Sequence, residues 1–203
     1  MRKLTIAALA CCVSAAPAQA RYTIGFAQVG NNVVATGSGS FDLTTLSKLN
    51  DGITGANLQP SSGQVLLGST TNVVESRYTN VTSTGAGFGM AGMTVPTSAS
   101  GSVVKLSFGI GFIYLPTNYI SGTELGISTE TYANQTFSTL GLTSGTYTMN
   151  WGSGQYADSA SVIIPSAALA PAAPEPAVWG LMVLGFGAVG GMRRRRRRAL
   201  VTA

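Results

Sequence analysis

Carboxylates are the reactive side chains this sequence has to work with. It contains no histidine, and its two cysteines are the adjacent Cys11 and Cys12. Lack of histidine excludes Ser-His-Asp and Cys-His catalysis, HExxH zinc sites and the usual zinc deaminase signature. Glu124 and Glu130 could serve as a glycosidase pair, which requires carboxyl groups ~5 Å or ~6.5–9.5 Å apart. Six positions apart on one strand, they would share a face but lie roughly 20 Å from each other. Only a turn between them would unite them; otherwise they are solvated loop or edge charges. Asp158, just after Gly152-Ser153-Gly154, could offer oxygen ligands to Ca²⁺ or cap that turn. Tyr114, Tyr119, Tyr132, Tyr147, Trp151 and Tyr156 could stack on sugar rings or fill a core. Gly85-Ala86-Gly87-Phe88-Gly89 lacks GxGxxG spacing and reads as a loop. These residues predict no catalysis, no metal site and no cofactor.

The elements that would position such groups are short strands. Tyr22, Ile24 and Phe26 alternate with small or polar residues, and Val33-Val34-Ala35 follows as a second strand candidate. Leu43, Leu46 and Leu49 recur at three-residue spacing and predict a helical turn over 41–49. Strand candidates continue at 64–67 and 72–78, with a glycine-rich loop over 82–93. Residues 102–115 read as one long strand, with Val104, Leu106, Phe108, Ile110, Phe112 and Tyr114 on one face and Lys105, Ser107, Gly109 and Gly111 on the other. Pro116 ends it or places it at an edge. Residues 124–128, 146–151 and 159–164 complete the set, Tyr147, Met149 and Trp151 sharing a face. Many short strands with turn residues between them predict an all-β domain, a single β-sandwich or jelly roll. Residues 166–176, rich in proline and alanine, form a semi-rigid extended linker.

The formal net charge of +5 and pI near 9.5 come from the ends. Between Arg21 and Ala173 the four bases Arg21, Lys48, Arg77 and Lys105 face six acids, a net charge of −2. That body, 21–165, has no basic patch for nucleic acid. The full chain is 45% hydrophobic and only 9% charged, a composition that argues for a buried core rather than disorder.

At the N-terminus, Met1-Arg2-Lys3 precedes an apolar run and Ala18-Gln19-Ala20, the pattern of a secretory signal peptide over 1–20 cut after Ala20. Cleavage there removes both cysteines. Lipidation of Cys11 is the alternative, although Ala8-Leu9-Ala10 is a poor lipoprotein box. At the C-terminus, residues 177–192 carry no charge. As a helix they would span roughly 24 Å, short of the ~30 Å hydrocarbon core, with arginine snorkelling to make up part of the difference. Arg193, Arg194, Arg195, Arg196, Arg197 and Arg198 follow as a stop-transfer signal, holding 193–203 in the cytoplasm. Trp179 suits the outer interface, and Gly187 and Gly191 form a GxxxG spacing. The arginines argue against a GPI signal. Asn80-Val81-Thr82 and Asn134-Gln135-Thr136 match the glycosylation sequon, as an Asn- and Thr-rich chain does by chance.

Pro174-Glu175-Pro176, Trp179, the Gly185-Phe186-Gly187 centre and the arginine cluster together resemble the PEP-CTERM sorting signal, in its variant with tryptophan three residues after the second proline. Gly180 and Leu181 depart mildly from that variant. The resemblance implies a Gram-negative host, export as an inner-membrane precursor, and recognition by an exosortase, a membrane peptidase cutting near Pro174 to Pro176. It further implies a cell-surface or extracellular product associated with exopolysaccharide and biofilm. Leu115-Pro116-Thr117-Asn118-Tyr119-Ile120-Ser121-Gly122, Gly145-Thr146-Tyr147, Trp151-Gly152-Ser153-Gly154 and Ala157-Asp158-Ser159 resemble a body type recurrent in such proteins. The function expected is structural or adhesive, with a carbohydrate-binding module and a glycoside hydrolase as alternatives.

Overall fold

The computed structural model describes residues 21–166. In chain order the strands are β1 (Arg21–Val29), β2 (Asn32–Gly39), β3 (Ser47–Thr54), β4 (Leu58–Gln59), β5 (Gln64–Leu67), β6 (Val73–Thr79), β7 (Thr82–Ser83), β8 (Ser98–Ser100), β9 (Val104–Ser107), β10 (Phe112–Pro116), β11 (Ser128–Tyr132), β12 (Gly145–Trp151) and β13 (Asp158–Ile164), with 3₁₀ turns at Pro60–Ser62 and Gly154–Tyr156. No helix of the described residues is long and apolar enough to cross a membrane. The span expected at 177–192 lies outside them.

The strands make two sheets, consistent with a β-sandwich. The first runs β7-β12-β13-β1-β2-β11-β8 and the second β3-β6-β10-β9-β5-β4. Period-two alternation builds the layer between them. Tyr22, Ile24, Phe26, Val33, Ala35, Met149, Trp151, Ala160, Val162 and Ile164 project from the first sheet. Leu58, Val65, Leu67, Val104, Leu106, Ile113 and Leu115 meet them from the second, all in one buried cluster. Each fully buried Val, Leu, Ile, Phe or Met among them contributes roughly 1.5–3 kcal/mol. Gly37 marks a close approach of the two sheets: a Cβ there would fall on a methyl of Leu67 and the hydroxyl of Tyr22.

The structure corrects three expectations. Residues 102–115 are two strands, not one: β9 and β10 form a hairpin pairing Phe112 with Ser107 and Tyr114 with Lys105. The turn contains Gly111 at φ +65°, a conformation glycine adopts without penalty. It resets the alternation, so Phe112 and Tyr114 share the outer face with Lys105 and Ser107, opposite Val104 and Leu106. The leucine triplet over 41–49 forms no helix; Leu43 and Leu46 pack on the core from a loop, and Leu49 is exposed on β3. The strand expected at 124–128 begins at Ser128 instead. Gly126 at φ +72° leaves the preceding segment as a loop.

The second sheet is strongly curled. Thr54 ends β3 on one edge and Leu58 begins β4 on the other. Four peptide steps reach at most ~15 Å, whereas five inter-strand gaps in a flat sheet would need ~24 Å. The edges must therefore bend toward each other. On β3 the residues that face the first sheet, Lys48, Asp51 and Ile53, are exposed, and so is Val74 paired with Ile53. That edge has peeled away from the core, which makes the outer face of the second sheet concave. A bulge at Leu49, between the pairs of Lys48 and Asn50, adds to the twist. It also places Lys48 and Asp51 on one face, where they make a 2.8 Å ion pair.

Candidate functional site

The concave face is a trough lined by polar groups. β6 contributes Glu75 and Arg77, β9 Lys105 and Ser107, β10 Phe112 and Tyr114, and β5 Leu66, as the strand register dictates. Residues 55–57 strap one end, where the Leu66 N–H donates to the Asn57 carbonyl at 3.0 Å. The Thr54 hydroxyl donates to Oε2 of Glu75. These groups are buried: Glu75 is 1%, Ser107 0% and Lys105 6% exposed.

Hydrogen-bonding capacity in the trough is unfilled. Glu75 Oε1, Arg77 Nε, Ser107 Oγ and Asn57 Oδ1 are buried without a partner. Buried polar groups are ordinarily paired, so four orphans on one face are an anomaly. The Arg77 guanidinium lies 4.9 Å from the Phe112 ring centre, and the Lys105 ammonium 5.7 Å from that of Tyr114. Among the described residues the one ion pair is Lys48 with Asp51, so Lys105 has an aromatic neighbour and no carboxylate in contact. Burial raises the Glu75 carboxyl to about 7, against the Thr54 hydrogen bond and the Lys105 charge. Burial also lowers the Lys105 ammonium, with Glu75 opposing.

Glu124 and Glu130 are not brought together in a cleft. Glu124 is exposed in the loop before β11. Glu130 is fully buried, which overturns its reading as a solvated charge. It accepts a 2.6 Å hydrogen bond from the Tyr132 hydroxyl, and Oε1 has no partner. Burial raises its carboxyl to about 8. Asp158 ties backbone: its carboxylate accepts the Asp42 N–H at 2.8 Å and the Ser159 N–H at 2.6 Å. No group of three or more potential metal-ligating residues occurs among the described residues.

The body motifs converge on one segment. The Tyr119 hydroxyl accepts the Phe41 N–H at 2.8 Å and donates to the Thr123 carbonyl at 2.7 Å. Ser121 Oγ accepts the Leu43 N–H at 2.8 Å. Trp151 Nε1 donates to the Asp42 carbonyl at 2.8 Å. The Phe41 ring stacks between Tyr22 at 4.8 Å and Trp151 at 5.9 Å. Tyr119, Ser121, Trp151 and Asp158 thus clamp residues 41–43, a structural task. Of the remaining aromatics, Tyr132 is core, Tyr147 packs half-buried on the core, and Tyr156 is exposed. Tyr114 lies in the trough.

Ala18, Ala20, Pro174, Glu175, Pro176, Trp179 and Arg193 to Arg198 all lie outside the described residues. Sequence reasoning missed Glu75, Arg77 and Asn57. One signal was present: only ten charged residues lie between Arg21 and Ala173, and three of them stand on the outward face of two neighbouring strand candidates. Comparison with protein families, curated proteins and solved structures gives no match for this chain.

Proposed function

We propose that this protein is exported, held in the inner membrane by its C-terminal span, and processed by an exosortase-type peptidase at the Pro174-Glu175-Pro176 segment. Its body then acts outside the cell as a sandwich- or jelly-roll-like structural or adhesive unit in an exopolysaccharide matrix. The observation that carries this reading is the order of the C-terminal residues: Pro-Glu-Pro, an uncharged stretch with Trp179, and six arginines. The arginines stop translocation, the apolar stretch holds the chain, and the proline-bounded segment is presented at the outer surface. The test is expression in a bacterium with an exosortase and in a matched strain without one, followed by mass spectrometry of membrane and medium. A product lacking 177–203 in the first strain alone supports the reading. An intact membrane-held chain in both strains overturns it. Replacing Pro174-Glu175-Pro176 by alanines is expected to leave uncleaved precursor.

A second reading, a carbohydrate-binding module, is favoured by the trough. It combines aromatic rings and two cations on a concave sheet face.

A further inference from the structure

β3 is the one long strand at an end of either sheet. The other ends, β4, β7 and β8, have two or three residues, whereas β3 has eight. Ser47 to Ile53 are all exposed, and among the described residues only β6 pairs with the strand. Such an edge offers unpaired N–H and C=O groups to any strand that can lie beside it. A lysine or a bulge ordinarily blunts an edge, and β3 has both. The lysine does not repel a second β3, because Asp51 neutralises Lys48 at 2.8 Å and the strand carries no other charge.

The bulge makes the edge complementary to itself. Residues three apart on a regular strand lie on opposite faces. The extra residue at Leu49 sets Lys48 and Asp51 on the same face, paired with Tyr78 and Ser76 of β6. Residues directly opposite in an antiparallel pair also share a face. A second β3, laid antiparallel about a twofold axis between Leu49 and Asn50, therefore puts each Lys48 opposite an Asp51 and each Ser47 opposite a Gly52. The Lys48 ammonium and the Ser76 hydroxyl both bond Oδ1 of Asp51, so Oδ2 remains for a second ammonium. At each end of this ladder the exposed Ile53 falls opposite Leu46, an apolar side chain packed half-buried on the core. Both strands carry the bulge, so no residue is left unmatched. A shift of two residues either way puts Lys48 opposite Ile53 or Leu49 and loses both ion pairs.

We propose that β3 joins two copies of this chain edge to edge, antiparallel about a twofold axis between Leu49 and Asn50, with Lys48 of each copy paired to Asp51 of the other. The remaining sheet ends are too short to repeat the contact, so the assembly closes as a dimer and does not grow into a fibre. This contact goes beyond the sorting reading and stands without it.

The test cross-links the detergent-solubilised full chain, with Cys11→Ser and Cys12→Ser as background, through a short bis-maleimide linker. One protein carries Ser47→Cys and the other Gly52→Cys; a Cβ at Gly52 meets only the Asn50 side-chain nitrogen, at 3.9 Å. In the proposed register the two thiols of a mixed pair stand ~5 Å apart, whereas two copies of the same variant hold theirs ~17 Å apart. The expected result is covalent dimer from the mixture and about tenfold less from either protein alone. Adding Lys48→Glu to both partners sets like charges opposite each other and should cut the yield of the mixture about tenfold. Lys48→Glu in one partner with Asp51→Lys in the other restores both ion pairs and should restore the yield. All four positions are exposed, and thermal unfolding checks that each variant folds. Association through the tail would act equally in every combination. Equal cross-linking of the mixture and of each protein alone, no cross-linking in the mixture, or no rescue by the opposed charge pair overturns the proposal.

Discussion

At the scale of single residues, buried acids dominate. Glu130, Glu75 and Asp158 have their carboxyls raised to about 8, 7 and 6, burial being the largest cause in each. An unfolded carboxyl titrates near ~4, so between that pH and the raised value the folded chain holds protons that the unfolded chain releases. Stability is therefore greatest in acid and falls as pH rises from ~4 to ~8. Glu130→Gln, which keeps the shape and removes the titration, should flatten much of that decline in melting temperature measured from pH 4 to 9. An unchanged slope would mean that Glu130 is not the group responsible. Gly37 offers a second test. Alanine there meets Leu67 and the Tyr22 hydroxyl and should cost about 1–3 kcal/mol by overpacking, read as a lower denaturation midpoint with unchanged m-value.

At the scale of elements, the clamp on residues 41–43 is the part to perturb. Tyr119→Phe removes the acceptor for the Phe41 N–H, and Trp151→Phe removes the donor to the Asp42 carbonyl. Each should cost about 1–2 kcal/mol. The double variant should lose less than the sum, because both bonds order one short segment. Strict additivity in urea unfolding would show that the segment is not held as a unit.

Strands were legible where alternation and burial agree. Tyr22-Ile24-Phe26 and Tyr147-Met149-Trp151 declared their inward faces, and β13 followed from Ser159 onward. The hairpin inside 102–115 was not legible from alternation, because an even-numbered turn preserves the apparent period while exchanging faces. The leucines over 41–49 mimic a helical stripe, but a tertiary clamp and pairing of β3 with β6 override that local pattern. Of the candidate site, Lys105 and Ser107 were placed on a polar face in advance, and Tyr114 was noted as an aromatic. Their meeting with Glu75 and Arg77 depends on strand order and on curvature, which arise from pairing between distant segments and leave no local trace. Glu130 misled for a related reason: a lone carboxylate in a polar stretch reads as solvated until the strand's inward face is known.

At the scale of the whole molecule, charge is split between ends and body. The full chain has a pI near 9.5, yet residues 21–173 carry a net charge of −2. If signal removal and sorting take place as proposed, isoelectric focusing should show the product crossing from the basic to the acidic side of neutrality. A released product that stays basic would place the cut beyond the arginines.

The pairing of β1 with β13 fixes an order of events. The two run parallel, Arg21 opposite Ser159 and Gly25 opposite Ile163, and β1 lies inside the sheet with β2 on its other side. A chain threaded outward from its N-terminus delivers β1 first and β13 last. Until some 130 further residues have emerged, β1 presents an open hydrogen-bonding edge, and only the last strand covers it. If the chain is exported and sorted as proposed, completion of the sheet would act as a timer that reports the arrival of the C-terminal segment. During that interval the exposed edge is the point at which a chaperone, or premature self-association, would compete with the native partner.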